Sequence, residues 1–137
     1  MLIKLLRAKI HHATVTQTQA NYHGSITIDS DLMDACGLMG NEAVVVADCE
    51  NGNRFETYII VGKAGSGIIG INGAAARLSE VGHRVIIMSF AMLTPEEAEH
   101  HESRVVIADK SNRPAERVVH ATRTAPPAEP VGQRRSF

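Results

Sequence analysis

Ala43-Val44-Val45-Val46-Ala47-Asp48-Cys49-Glu50-Asn51-Gly52-Asn53-Arg54-Phe55-Glu56-Thr57-Tyr58-Ile59-Ile60-Val61 sets two runs of β-forming residues on either side of Asn51-Gly52. Asn-Gly supplies the positive φ angles of a tight hairpin turn, so Ala43 to Asp48 and Arg54 to Val61 are expected to pair antiparallel. Further β-type runs lie at Leu2 to Ile10, Ala13 to Thr18, Ser25 to Ile28, Ile68 to Ile71, Val85 to Ala91 and Val105 to Ala108, most of them rich in Ile, Val and Thr. Helical signals are few. Ser30 can cap a short helix carrying Leu32, Met33, Ala35 and Cys36, which Gly37 would end. Thr94-Pro95-Glu96-Glu97 reads as a capping box with proline at the first helical position. Many short strands, punctuating glycines and two or three helical turns predict a mainly β protein, a closed or nearly closed small barrel with a few short helices.

Composition narrows the function classes. The 137 residues suit one domain, expected over 1–120, while the proline-rich stretch from Ala121 to Phe137 is expected to be a disordered tail. Lys and Arg total 14 against 15 Asp and Glu, so there is no cationic surplus for nucleic acid or an anionic membrane surface. The longest apolar stretch, Val85 to Leu93, is far shorter than the ~20 residues of a membrane-spanning helix. Lys4, Arg7 and Lys9 are scattered through the N-terminal apolar residues, which is not the order of a signal peptide. The expectation is a soluble cytoplasmic protein. Cys36 and Cys49 are too few for a disulfide scaffold. Adjacent histidines on a strand point to opposite faces, so neither His11-His12 nor His100-His101 forms a ligand pair, and no metal is expected.

Four short segments carry the chemical signal. Taken alone, Tyr22-His23-Gly24-Ser25 reads as a connecting turn, Tyr58 and Arg54 as strand residues, and Ala74 to Ala76 as a tightly packed helical stretch. Together with Lys9-Ile10-His11, Asn51 to Tyr58 and Gly70 to Ala76, in this order and spacing, the Tyr22 segment resembles the pyruvoyl-dependent aspartate 1-decarboxylase family. The resemblance covers Met1 to about Pro95 and continues more weakly to about Val119.

The resemblance implies a double-psi β-barrel, a homotetramer of cleaved α and β chains, and a proenzyme that cuts itself between Gly24 and Ser25. The residue types suit this. A serine Oγ attacking the preceding carbonyl turns an amide into a weaker ester, and glycine before it would allow a distorted backbone and place no Cβ in the way. Elimination and hydrolysis would then leave a pyruvoyl group derived from Ser25, which forms a Schiff base with L-aspartate and takes up the electrons left by departing CO2. Neither pyridoxal phosphate nor a metal is needed for that chemistry. The product would be β-alanine for pantothenate and coenzyme A biosynthesis.

By the same resemblance, Tyr58 donates the proton that replaces CO2, Thr57, Gly73, Ala74 and Ala75 contact substrate, and Arg54 and Lys9 supply cations. Asn72, Tyr22 and His11 support the processing site. A guanidinium suits a carboxylate because it can bind both oxygens at once, and either substrate carboxylate could meet it. Thr57 and Tyr58, adjacent on a strand, should face opposite ways. His12 and Ala64 stand where the family usually carries arginine. Two other readings stay open: a barrel that only binds an acidic metabolite or a protein partner, and the same chemistry on glutamate.

Overall fold

A computed structural model describes residues 1–122; the expected tail therefore lies almost wholly outside the described residues. The fold is mainly β. Its strands are β1 (Ile3–Thr14), β2 (Gln17–Gln19), β3 (Ser25–Asp29), β4 (Ala43–Asp48), β5 (Arg54–Gly62), β6 (Ile69–Asn72), β7 (Arg84–Leu93), β8 (Glu102–Ala108) and β9 (Pro114–Ala121). They form one sheet in the order β2-β6-β3-β5-β4-β7-β1-β8-β9. Helices α1 (Ser30–Cys36) and α2 (Pro95–Glu99) and a 3-10 segment, η1 (Gly73–Leu78), complete it.

The β4-β5 hairpin forms as expected, with Ala43 opposite Tyr58 and Ala47 opposite Arg54. Its turn differs from the expectation. Gly52 alone takes a positive φ, 78°, whereas Asn51 does not, because the strands stop at Asp48 and Arg54 and leave a longer loop. The Asp48 carboxylate organises that loop by accepting the N–H groups of Glu50 and Asn51 at 2.8 and 3.3 Å.

β5 is the strand that turns the sheet into a barrel-like shape. Its first half pairs antiparallel with β4, and its second half, Ile59 to Gly62, pairs parallel with Ile26 to Asp29 of β3. Two further pairings are parallel, β1 with β8 on the other side of the sheet and β2 with β6 at its edge. The outer strands β2 and β9 are not paired with each other, so the sheet is not closed by strand pairing. Polar and helical links span the remainder: Asn112 joins Thr14 to Gly67, and α1 packs on β1, β3, β8 and β9. The enclosed core is built from aliphatic side chains, including Ile10, Ile26, Ile28, Ile59, Ile71 and Ile87, all fully buried. This is the mainly β, barrel-like fold that the resemblance implied.

Four local expectations are corrected. The runs Leu2 to Ile10 and Ala13 to Thr18 are not separate: the first strand continues to Thr14 through a bulge between Ile10 and Ala13. There His12 takes φ 60°, so the rings of His11 and His12 do not point apart but stack with centroids 3.8 Å from each other. The cap of α1 is Asp29, one residue before Ser30, with its carboxylate accepting the Asp31 N–H; Gly37 ends the helix at φ 80° as expected. β9 is an additional strand, paired with β8. The capping box of Thr94 and Glu97 is present at α2.

Among the described residues no helix is long and apolar enough to cross a membrane, and no group of three or more His, Cys, Asp or Glu side chains is placed to hold a metal ion.

Candidate active site

β3 and β6 run antiparallel with Ser25 directly opposite Asn72. This register puts both side chains, and Thr27 two residues further on, on one face of the sheet. The Asn72 Nδ2 group donates to Ser25 Oγ at 3.0 Å and to Thr27 Oγ1 at 3.2 Å, and the Ser25 hydroxyl donates to the His23 carbonyl at 3.2 Å. Ser25 is fully buried although Gly24 before it is exposed, so a buried hydroxyl sits directly behind an accessible peptide bond. The Asn72 Oδ1 atom is buried and accepts no hydrogen bond among the described residues, so the amide that holds Ser25 keeps one unused acceptor. Thr27 was not singled out by sequence reasoning. The period-2 alternation from Ser25 was the signal available.

The glycine that this geometry demands is Gly73. Its φ is +80°, and a Cβ there would lie 2.5 Å from Gly24 Cα and 2.8 Å from Gly24 N. By contrast, a Cβ added at Gly24 would meet nothing within 4 Å, and Gly24 has no positive φ. The steric reason expected for glycine at position 24 therefore applies to its neighbour across the fold. Gly73 opens η1, followed by exposed Ala74 and half-buried Ala75. Asn72 makes no side-chain cap to η1, because its amide is turned toward Ser25 and Thr27.

Continuing the β3-β5 register one residue upstream from Ile26 and Ile59 places Tyr58 beside Ser25. Tyr58 is 40% exposed, and Arg54, Glu56 and Tyr58 alternate along the exposed side of β5 while Thr57 faces the other way. Tyr22, also exposed, stacks edge-on against His23 at 5.4 Å, and its carbonyl oxygen faces Gly73.

Lys9 and His11 belong to a different part of the sheet. They lie on β1, separated from β3 in the strand order by β5, β4 and β7. Burial pushes the Lys9 amine below its ordinary value, with the Cys49 charge acting in the opposite direction. His11 is pushed down to about 4, first by burial and then by the charges of His12, Lys9 and Arg84. It is therefore a neutral imidazole at pH 7. The lowered value also makes His11 oppose acid stability: between about pH 6.5 and 4 the unfolded chain takes up this proton and the folded chain does not, so stability falls with acidification through that window. NMR titration of the ring should find His11 still neutral at pH 5.5; a midpoint near 6.5 would contradict its buried, cation-flanked setting.

The small barrel-like β fold sets a serine hydroxyl at a strand start with an amide donor opposite and a tyrosine alongside, groups that suit the site of a compact barrel enzyme. A family model described as aspartate decarboxylase matches residues 1–115. A relative named aspartate 1-decarboxylase from Chloroherpeton thalassium is 48% identical over 136 residues, covering 99% of this chain and 100% of its own. Relatives of the same name from Caldicellulosiruptor saccharolyticus and Lactiplantibacillus plantarum are 54% and 53% identical over 113 and 118 residues, covering 82% and 86% of this chain and 88% and 91% of theirs. The chain belongs to the aspartate decarboxylase family. As an enzyme it is a carboxy-lyase.

Proposed function

We propose that the chain cuts itself between Gly24 and Ser25 and converts L-aspartate to β-alanine and CO2, supplying β-alanine for pantothenate in the cytoplasm. The observation that carries this is the buried Ser25 hydroxyl, held by Asn72 behind an exposed Gly24 peptide whose backbone rests on Gly73. In the cut, Ser25 Oγ bonds to the Gly24 carbonyl carbon as the C–N bond breaks, giving an ester and a free amine. Loss of the Ser25 α-proton then expels the Gly24 carboxylate, and water releases ammonia from the remaining dehydroalanine. The residues fit the pyruvoyl group so formed: the Gly73 cradle leaves room that any Cβ would fill, and Asn72 Nδ2, which donates to Ser25 Oγ, is a donor that a carbonyl oxygen there would accept. That group supplies a ketone for the substrate amine and an electron sink for the decarboxylation.

Around it, Tyr58 delivers a proton to the carbon that loses CO2, which a phenol can do because it carries its proton at pH 7. Gly73, Ala74 and Ala75, with their small side chains, admit a substrate carboxylate, and Arg54 holds a carboxylate from the exposed side of β5. Thr57 contributes from the opposite face, and Tyr22 and His23 shape the segment that is cut. The domain is taken as 1–120. We assign a homotetramer of cleaved chains; the half-buried Lys9 on β1, three strands from β3 in the sheet, is the residue that a second copy would bring to the Ser25 site, while His11 stays buried in its own chain.

Tyr58→Phe separates the two stages. The variant should still yield both fragments, with turnover reduced by roughly 10² to 10⁴, the usual worth of general acid catalysis. Turnover equal to wild type would remove Tyr58 from the mechanism. Product analysis with aspartate and glutamate separates the two substrates.

A further inference from the structure

One polar group of the fold has no part in the chemistry above. It lies at the far end of η1, where the loop between β4 and β5 meets the end of the 3-10 segment. Asp48 is almost fully buried, and one oxygen of its carboxylate is spent on its own turn. The other, Oδ2, accepts the Ser79 hydroxyl at 2.6 Å and lies 2.8 Å from His83 Nδ1. Burial alone would raise the Asp48 carboxyl, but the hydrogen bonds from Ser79, His83 and the Glu50 N–H outweigh it and hold it below its ordinary value, so it is a charged acceptor at neutral pH. From the same loop, Asn51 and Asn53 both donate through Nδ2 to the Leu78 carbonyl, at 3.0 and 2.9 Å. Leu78 is the last residue of η1 and Ser79 follows it.

These bonds join two segments that the functional reading places on the substrate. Asn53 immediately precedes Arg54 at the start of β5, and η1 begins at Gly73 with Ala74 and Ala75. The 6 residues of this 3-10 segment span roughly 12 Å, so holding both of its ends sets its line. The near end has its own anchor, because Asn72 is paired with Ser25 across the β3-β6 ladder. The far end is held through Leu78 and Ser79.

We propose that Asp48, Ser79, Asn51 and Asn53 are positioning residues that set the distance between Arg54 and the Gly73–Ala75 segment, and so the length of dicarboxylic amino acid that the enzyme accepts. This deepens the assignment of Arg54 and Gly73–Ala75 as carboxylate contacts and rests on it. The latch acts on binding. Self-cleavage depends on the β3-β6 anchor and proceeds without it.

The test is the triple variant Asn51→Ala/Asn53→Ala/Ser79→Ala, which removes the three side-chain bonds that hold the end of η1 while leaving Gly52 and the backbone N–H bonds to the Asp48 carboxylate in place. Cleavage should go to completion. The KM for L-aspartate should rise about tenfold with kcat within roughly threefold of wild type, and the kcat/KM preference for aspartate over glutamate should shrink by a similar factor, as expected for lost positioning. Ser79→Ala alone should show part of the rise, and Ser79→Thr, which keeps the hydroxyl, should restore it; this pair serves if the triple variant is unstable. A lower melting temperature with KM and preference unchanged would overturn the proposal. Wild-type protein run alongside separates the two readings: a wild type that does not cut or decarboxylate refutes the functional assignment, whereas an active wild type with an indifferent variant refutes only the latch.

Discussion

Ser25→Ala is expected to leave one uncut chain with no decarboxylase activity. The side chain is fully buried, so the change removes only the oxygen, and alanine fits the space. What is lost is the nucleophile that would attack the Gly24 carbonyl and, with it, the source of the electron sink. Asn72 Nδ2 keeps Thr27 Oγ1 as a partner, so the fold should lose little stability. Denaturing gel and activity measurements check this together. An Ser25→Ala protein that still cuts, or that decarboxylates aspartate uncut, would contradict the role given to Ser25.

Gly73→Ala is expected to have the second large effect, and for a backbone reason. The new Cβ would press on Gly24 Cα at 2.5 Å and Gly24 N at 2.8 Å, where no flexible side-chain end can yield, and the residue must also hold φ +80°. Strain of this kind costs about 1–3 kcal/mol for the torsion alone. The stretch that must move is the one that is cut, so cleavage should slow by on the order of 10² or more, as misplacement of reacting groups near 1 Å does elsewhere. Time courses of fragment release at fixed temperature measure it. Cleavage at the wild-type rate would show that Gly73 does not set the geometry of the Gly24 peptide.

How far the sequence reaches is clear from individual residues. The pairing of Ala43 to Asp48 with Arg54 to Val61 is legible because both runs are local, β-branched and joined by a turn signal. The loop's true form is not: one Asp48 oxygen shapes it through the N–H groups of Glu50 and Asn51, but the carboxylate is buried and held by Ser79 and His83, 31 and 35 residues on, which no local rule reveals. β9 escapes notice since its exposed Ala115, Glu116 and Arg117 carry no apolar alternation; it is an edge strand kept in place by backbone pairing with β8. The stacking of His11 on His12 depends on a bulge, which arises from the register against β7 and not from the dipeptide. At the site, residue types and order pointed to Ser25, Asn72, Gly73 and Tyr58. Their mutual positions come from the antiparallel β3-β6 and parallel β3-β5 registers, which are long-range. The same topology sets Lys9 and His11 apart on β1, a separation invisible in a linear reading.

The most direct test of the central claim is denaturing mass spectrometry of the purified chain after warm incubation. The account predicts two species: residues 1–24 ending in a free Gly24 carboxylate, and the remainder beginning at position 25 with a mass lower by one ammonia than the simple cleavage product. Protein that stays intact yet converts aspartate to β-alanine would contradict it.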